Sequence, residues 1–296
     1  MSEVAATMES HFSRMPRRGV WRSLRRRALF WVCCAVLAIL ALVALFPAWF
    51  AQLGPTPDPR ACVLAESARP PSAAHPFGTD LQGCDVLSNV IYGARASLSV
   101  GLLCTALALI VALVLGVIAG YWGGWADRLI SRLTDVFLGF PFLLGAVVVL
   151  TTLNERTVLN VAIVLALFSW PTMARLVRGS VRTIRGADYV DAARAMGLST
   201  ARILRRYVLP NSIGPVLAIA TIMVGSVIVA EATLTFLGLG LRAPSISWGL
   251  QLASAQERFQ TAPHMLLFPS LVLTATVLAV ITLGDILRDT LDPKSR

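Results

Sequence analysis

Lys294 is the only lysine among the 296 residues, so no glycine-rich loop ending in Gly-Lys-Ser/Thr can cradle nucleotide phosphates in this chain. The chain is therefore not a P-loop ATPase. The three histidines, His11, His75 and His264, stand far apart, and no Cys-x-x-Cys or His-Glu-x-x-His pair occurs, so a dedicated metal site has little support. No convergent set of nucleophile, base and electrophile is found either, which argues against a membrane enzyme. One carboxylate is out of place: Glu231 lies in the apolar run Val224 to Leu234, where a charge is costly unless it faces water or a partner. Two readings stay open for it. It lines a translocation path and meets a substrate amine, or it lies near the outer headgroups, paired with an arginine or holding the helix end.

The elements that would position these residues follow from composition. Apolar residues make up 56% of the chain and charged ones 14%, against about 25% charged in a typical soluble domain. One bilayer crossing consumes about 20 apolar residues. Hydropathy accordingly predicts six spans: Leu29 to Phe50, Ser97 to Tyr121, Leu133 to Leu153, Val158 to Leu176, Ser212 to Leu234 and His264 to Leu283. The first is too long for a secretory signal and lacks a small-residue cleavage pattern, so an uncleaved anchor is expected. With the N-terminus inside, the inner segments hold 20 basic residues and the outer ones six, which places both termini in the cytoplasm. That placement also explains the net charge of +10 through anionic lipid or a cytoplasmic partner, without nucleic acid.

The expected organisation is a basic tail over residues 1–28 with Met1 to Ser13 disordered, a first helix over 29–52, an outer loop over 53–96, a five-helix core over 97–286, and a short inner tail over 287–296. The outer loop is rich in proline and small polar residues and is expected to be mostly irregular. Gly116-x-x-x-Gly120 permits close approach of two helices, within the bundle or between subunits. Cys33, Cys34 and Cys104 fall inside spans, as small apolar residues.

The inner connection over 177–210 reads as helix rather than loop. Asp188 is suited to an N-cap and Asp191 to the first turn of a helix starting at Tyr189, which Gly197 ends. Ser199 is suited to cap a second segment, Thr200 to Tyr207, that Pro210 stops. Ala192, Ala193 and Ala195 give the first helix a low profile that another protein could approach, and Arg194, Arg202, Arg205 and Arg206 suit an acidic groove. An amphipathic connector lying on lipid has the same pattern.

Asp191-Ala192-Ala193, then Gly197, then Tyr207-Val208-Leu209-Pro210 resembles the Glu-Ala-Ala loop of ATP-binding-cassette importer permeases, with Asp for the usual Glu and Tyr for the usual Ile. Four further stretches are similar to the oligopeptide and dipeptide permeases, in particular their "C" subunit. They are His75-Pro76-Phe77-Gly78-Thr79-Asp80 with Asp85-Val86-Leu87-Ser88, Ile91-Tyr92-Gly93-Ala94-Arg95, Gly123-Gly124-Trp125 through Asp135, and Glu231-Ala232-Thr233-Leu234-Thr235-Phe236-Leu237-Gly238-Leu239-Gly240 with Ser247-Trp248-Gly249. Together they cover most of the chain from His75 onward.

The resemblance implies an all-α, six-span subunit of the bacterial inner membrane. Its partners would be a second homologous permease in a heterodimer, cytoplasmic ATPase subunits, an extracytoplasmic solute-binding protein and membrane lipid. The cargo would be a peptide, or nickel or another small solute. No cofactor is implied in this chain, since ATP and Mg would bind the ATPases. Asp191, Ala192, Ala193, Gly197, Leu209 and Pro210 would couple the chain to them. On that basis Gly197→Pro and Ala193→Arg are expected to abolish uptake with membrane insertion intact. A stand-alone secondary transporter would instead show paired intramembrane charges or repeated halves. Cys84 stands where these relatives usually carry arginine, and it shares the outer, oxidising side with Cys62, so either a Cys62–Cys84 bridge or two free thiols is expected there.

Overall fold

The computed structural model describes residues 24, 25 and 27–291, and the readings for Met1 to Ser13, most of the first tail and half of the last lie outside them. Among the described residues the architecture is all-helical, with one isolated β-bridge between Thr79 and Asp85. Helices α1 (Ala28–Leu45), α2 (Pro47–Ala51) and α3 (Val86–Trp122) are followed by α4 (Gly124–Gly139), α5 (Phe142–Thr152) and α6 (Val158–Arg185). Next come α7 (Asp188–Ala195), α8 (Thr200–Ile203), α9 (Leu209–Phe236), α10 (Trp248–Ala255) and α11 (His264–Leu291). Four of these helices, α1, α3, α6 and α11, and the continuous stretch Thr200–Phe236 are long and apolar enough to cross a membrane.

The sixth predicted span is present in a different form. Leu133 to Leu153 is not one straight helix: α4 and α5 meet at 83°. Pro141 is the cause. The residue before a proline is pushed out of the helical region, and Phe140 is extended at φ −87°, ψ 131°. The 11 residues of α5 rise only about 16 Å, too little to cross alone. Asp127 and Asp135 bind α4 to α6 through ion pairs with Arg178 and Arg175, the first of them bidentate.

The remaining boundaries move for equally local reasons. Helix α3 begins at Val86, well before Ser97, because Asp85 Oδ2 accepts the Ser88 N–H at 2.8 Å and caps it. Its opposite end packs along α6, the most extensive helix pair in the bundle. Gly116 and Gly120 lie in that seam: a Cβ on Gly116 would stand 2.7 Å from Val177 Cβ and 2.9 Å from the Ala174 carbonyl. The small-residue motif therefore serves packing within the chain. Buried Val100, Cys104, Ala108 and Ala112 of α3 meet Leu165, Trp170, Met173 and Val177 of α6 in one apolar core. In contrast, α1 buries only Phe30 and Cys33, as befits a helix that is apolar all round and faces lipid.

The loop between α2 and α3 carries a short 3₁₀ turn, Leu64–Glu66, and is closed on itself. Cys62 and Cys84 are joined as a disulfide, and Val63 N–H donates to the Gly83 carbonyl beside it. Ala68 N–H donates to the Asp80 carbonyl, and His75 bridges Asp85 and Glu66 at 3.0 and 3.3 Å. Maleimide applied to unreduced membranes should therefore spare Cys62 and Cys84 and reach them after reduction. Cys62→Ser is expected to cost about 3 kcal/mol of loop stability, read as a lower thermal midpoint in detergent. Rapid labelling of both thiols without reductant would exclude the bridge in the membrane.

Candidate functional site

The arginine-rich end of the bundle carries a short element between two spans. Helix α7 starts at Asp188 with Ala187 as its N-cap, and no side chain caps it. The predicted N-cap Asp188 thus sits one position inside the helix, where it joins Asp191 in a first turn whose exposed N–H groups favour negative charge. The helix ends in a full Schellman motif: Gly197 N–H donates to the Arg194 carbonyl at 2.9 Å, and Leu198 N–H to the Ala193 carbonyl at 3.2 Å. Gly197 adopts φ +77°, the left-handed conformation that this motif requires.

Helical spacing puts Val190 and Ala193 on one face, and both are fully buried against the bundle core with Ile203 and Val208. This corrects the expectation of a three-alanine outer profile: Ala193 is the root of the element, not its surface. The outward face consists of Asp191, Ala192, Arg194, Ala195 and Met196, the last 67% exposed. Arg194 Nη1 holds Asp191 Oδ1 at 2.7 Å, so the patch keeps an internal ion pair at its centre. Arg202, Arg205 and Arg206 are exposed on the adjoining segment.

The second segment departs from its predicted end. Pro210 does not stop it; α8 runs through a π-helical turn, Leu204–Val208, into α9 without interruption. A proline in the first turn of α9 lacks an N–H and crowds the preceding turn, and the wider π turn accommodates both. Ser199 stands at the start of α8 without a side-chain cap bond. Leu209 is half-buried and Pro210 exposed. Ser180 Oγ donates to the Ser212 carbonyl at 3.0 Å, tying α6 to the beginning of α9. The whole element is therefore rooted in α6 and α9 and presents a small, mixed polar and apolar face outward. Such a face can receive another protein and transmit displacement, and it holds no group poised for covalent chemistry.

Glu231 lies elsewhere, toward the disulfide end. It is fully buried, and no ion pair of Glu231 with an arginine is found among the described residues. Its Oε1 accepts the Thr235 hydroxyl proton at 2.8 Å, Thr235 Oγ1 accepts the Leu241 N–H at 3.0 Å, and the hydroxyls of Ser97 and Ser247 also face the carboxylate. Around it, Trp248 donates its indole N–H to the Val90 carbonyl at 3.0 Å and Gln251 Nε2 donates to the Asn89 carbonyl at 2.7 Å. The chain after α9 is thereby clamped onto α3 beside Glu231. Reading the sequence missed Trp248 and Gln251 in that role. Trp248-Gly249 after a serine was visible as a motif, but nothing local told which helix it would reach.

Comparison with known proteins gives a consistent picture. Residues 112–296 match the family described as binding-protein-dependent transport system inner membrane component, and residues 16–70 match the N-terminal TM domain of oligopeptide transport permease C. The chain is 37% identical over 281 residues to the glutathione transport system permease protein GsiD of Pectobacterium atrosepticum, covering 95% of this chain and 92% of that protein. It is also 37% identical over 286 residues to the dipeptide transport system permease protein DppC of Alkalihalophilus pseudofirmus, covering 95% and 91%. Among solved structures, an inward-facing form of the MetNI methionine ABC transporter superposes with a TM-score of 0.55 at 19% identity, covering 69% of this chain and 97% of that one, a likeness of fold.

Proposed function

The chain belongs to the family of binding-protein-dependent transport system inner membrane components, and from that premise we propose that it forms half of the membrane path of an ATP-driven importer of short peptides. A second, homologous permease supplies the other half. One or two kinds of ATPase subunit dock on the arginine-rich end, and a solute-binding protein delivers cargo at the disulfide end. The excess of inner arginines supports that orientation. Mg and ATP reside on the ATPases, in keeping with the missing phosphate-loop lysine. Peptide cargo is favoured because relatives matching nearly the full chain are named for glutathione, itself a tripeptide, and for dipeptides.

The observation that carries the coupling role is the two-sidedness of α7. Its Val190 and Ala193 are locked in the core while Asp191, Ala192, Ala195, Met196 and Gly197 lie outside. A partner that grips the outer face cannot move it without moving α6 and α9. The chain's contribution is then differential stability of two bundle arrangements, selected by the nucleotide state of the partner. Labelled di- and tripeptides should enter cells that carry the complete assembly and fail to enter a strain lacking only this gene. Solute flux through the purified chain alone in liposomes, with no ATP and no accessory protein, would overturn the reading.

A further inference from the structure

Helix α7 is joined by the backbone to α6 and, through α8, to α9, but α3 has no such link to it. The structure supplies one through side chains. Tyr121, in the last turn of α3, is 8% exposed. The guanidinium carbon of Arg185, at the end of α6, and that of Arg194, on α7, each lie 5.9 Å from the centre of its ring. Arg194 Nη2 also donates to the Arg185 carbonyl at 3.4 Å, and Nη1 to Asp191. Arg185 Nη1 comes within 3.4 Å of where a Cβ on Gly123 would stand, so that guanidinium reaches the end of α3 itself. The electron-rich face of an aromatic ring attracts a guanidinium at such a distance. The ring thus gives α3, α6 and α7 a common fastening point.

Resting on the coupling role above, we propose that Tyr121 is a positioning residue that passes displacement of α7 to α3 by holding Arg185 and Arg194 on its ring. Helix α3 runs the full depth of the bundle, and its other end is bonded to Trp248 and Gln251, so a shift at Tyr121 reaches the opposite mouth of the protein. The quality required at position 121 is a π face rather than bulk or a hydroxyl.

The test is solute imported per ATP hydrolysed, measured on the reconstituted complex of both permeases, ATPases and binding protein. Tyr121→Leu is expected to lower that ratio about fivefold, a typical size for coupling between sites, while hydrolysis continues. Tyr121→Phe and Tyr121→Trp should restore it. Arg185→Gln, which leaves the docking face untouched, should lower it like the leucine variant, and it decides the matter if Tyr121→Leu does not assemble. A wild-type ratio in Arg185→Gln, or a Phe variant as uncoupled as the Leu variant, would overturn the relay alone. Absence of ATP-dependent uptake by the wild-type complex would instead sink the functional reading on which the relay rests.

Discussion

Because Ala193 is buried, Ala193→Arg is expected to deplete the protein from the membrane, against the sequence-based expectation of intact insertion, whereas Ala192→Arg is expected to leave a folded, inserted chain that no longer imports. The two positions are neighbours of identical chemistry, and only burial separates them. Ala193 has no exposed surface and sits among Val190, Ile203 and Val208. A guanidinium there must either be buried without a partner or force α7 off the bundle, at a cost of about 4 kcal/mol or more. Ala192 is exposed, so an arginine there costs the fold little and projects several ångströms into whatever docks on α7. Membrane abundance and thermal midpoint in detergent read the first effect, and uptake at matched abundance reads the second. Normal import by well-expressed Ala192→Arg would show that the outer face of α7 receives no partner. Normal abundance of Ala193→Arg would show that α7 is not rooted as described.

That pair also marks how far the sequence could be read. The existence of α7, its end at Gly197 and the alanine-rich run were legible, because first-turn carboxylates and a terminating glycine act locally. Which alanines face inward was not. Alanine is compatible with core and surface alike, so Ala192, Ala193 and Ala195 carry no directional signal. The orienting residue was Val190, which shares a face with Ala193 at i, i+3 spacing. The bend between α4 and α5 escaped for a different reason. A hydropathy window averages across Phe140-Pro141, while the bend depends on the single backbone angle that Pro141 imposes. Pro210 posed the opposite problem: it reads as a stop, yet a π turn lets the helix absorb it. At Glu231 the local half was legible, since Thr235 lies one helical turn away. The next link, Leu241 N–H donating to Thr235 Oγ1, forms only because the chain folds back after α9, and that is set by tertiary packing on α3.

Gly197→Pro is expected to cut uptake about a hundredfold at unchanged membrane abundance, and Gly197→Ala to fall between proline and wild type. A Cβ at this position would meet nothing within 4 Å, so no substitution here is penalised by collision. The cost comes from backbone conformation. At φ +77° an L-residue such as alanine loses about 1–2 kcal/mol. Proline cannot adopt that angle, and it also deletes the N–H that bonds the Arg194 carbonyl, a combined loss of about 3 kcal/mol or more. That energy is lost at the joint between α7 and α8, so the docking face loses its fixed orientation while the buried spans keep theirs. Asparagine tolerates the left-handed region better than other residues with a Cβ, so Gly197→Asn should import faster than Gly197→Ala despite its larger side chain. Uptake rates of the three variants, normalised to abundance, give the ranking Asn, Ala, Pro. If Ala exceeded Asn, side-chain size at an occupied interface would outweigh backbone angle, and Gly197 would have to be counted as part of the contact surface instead of as its hinge.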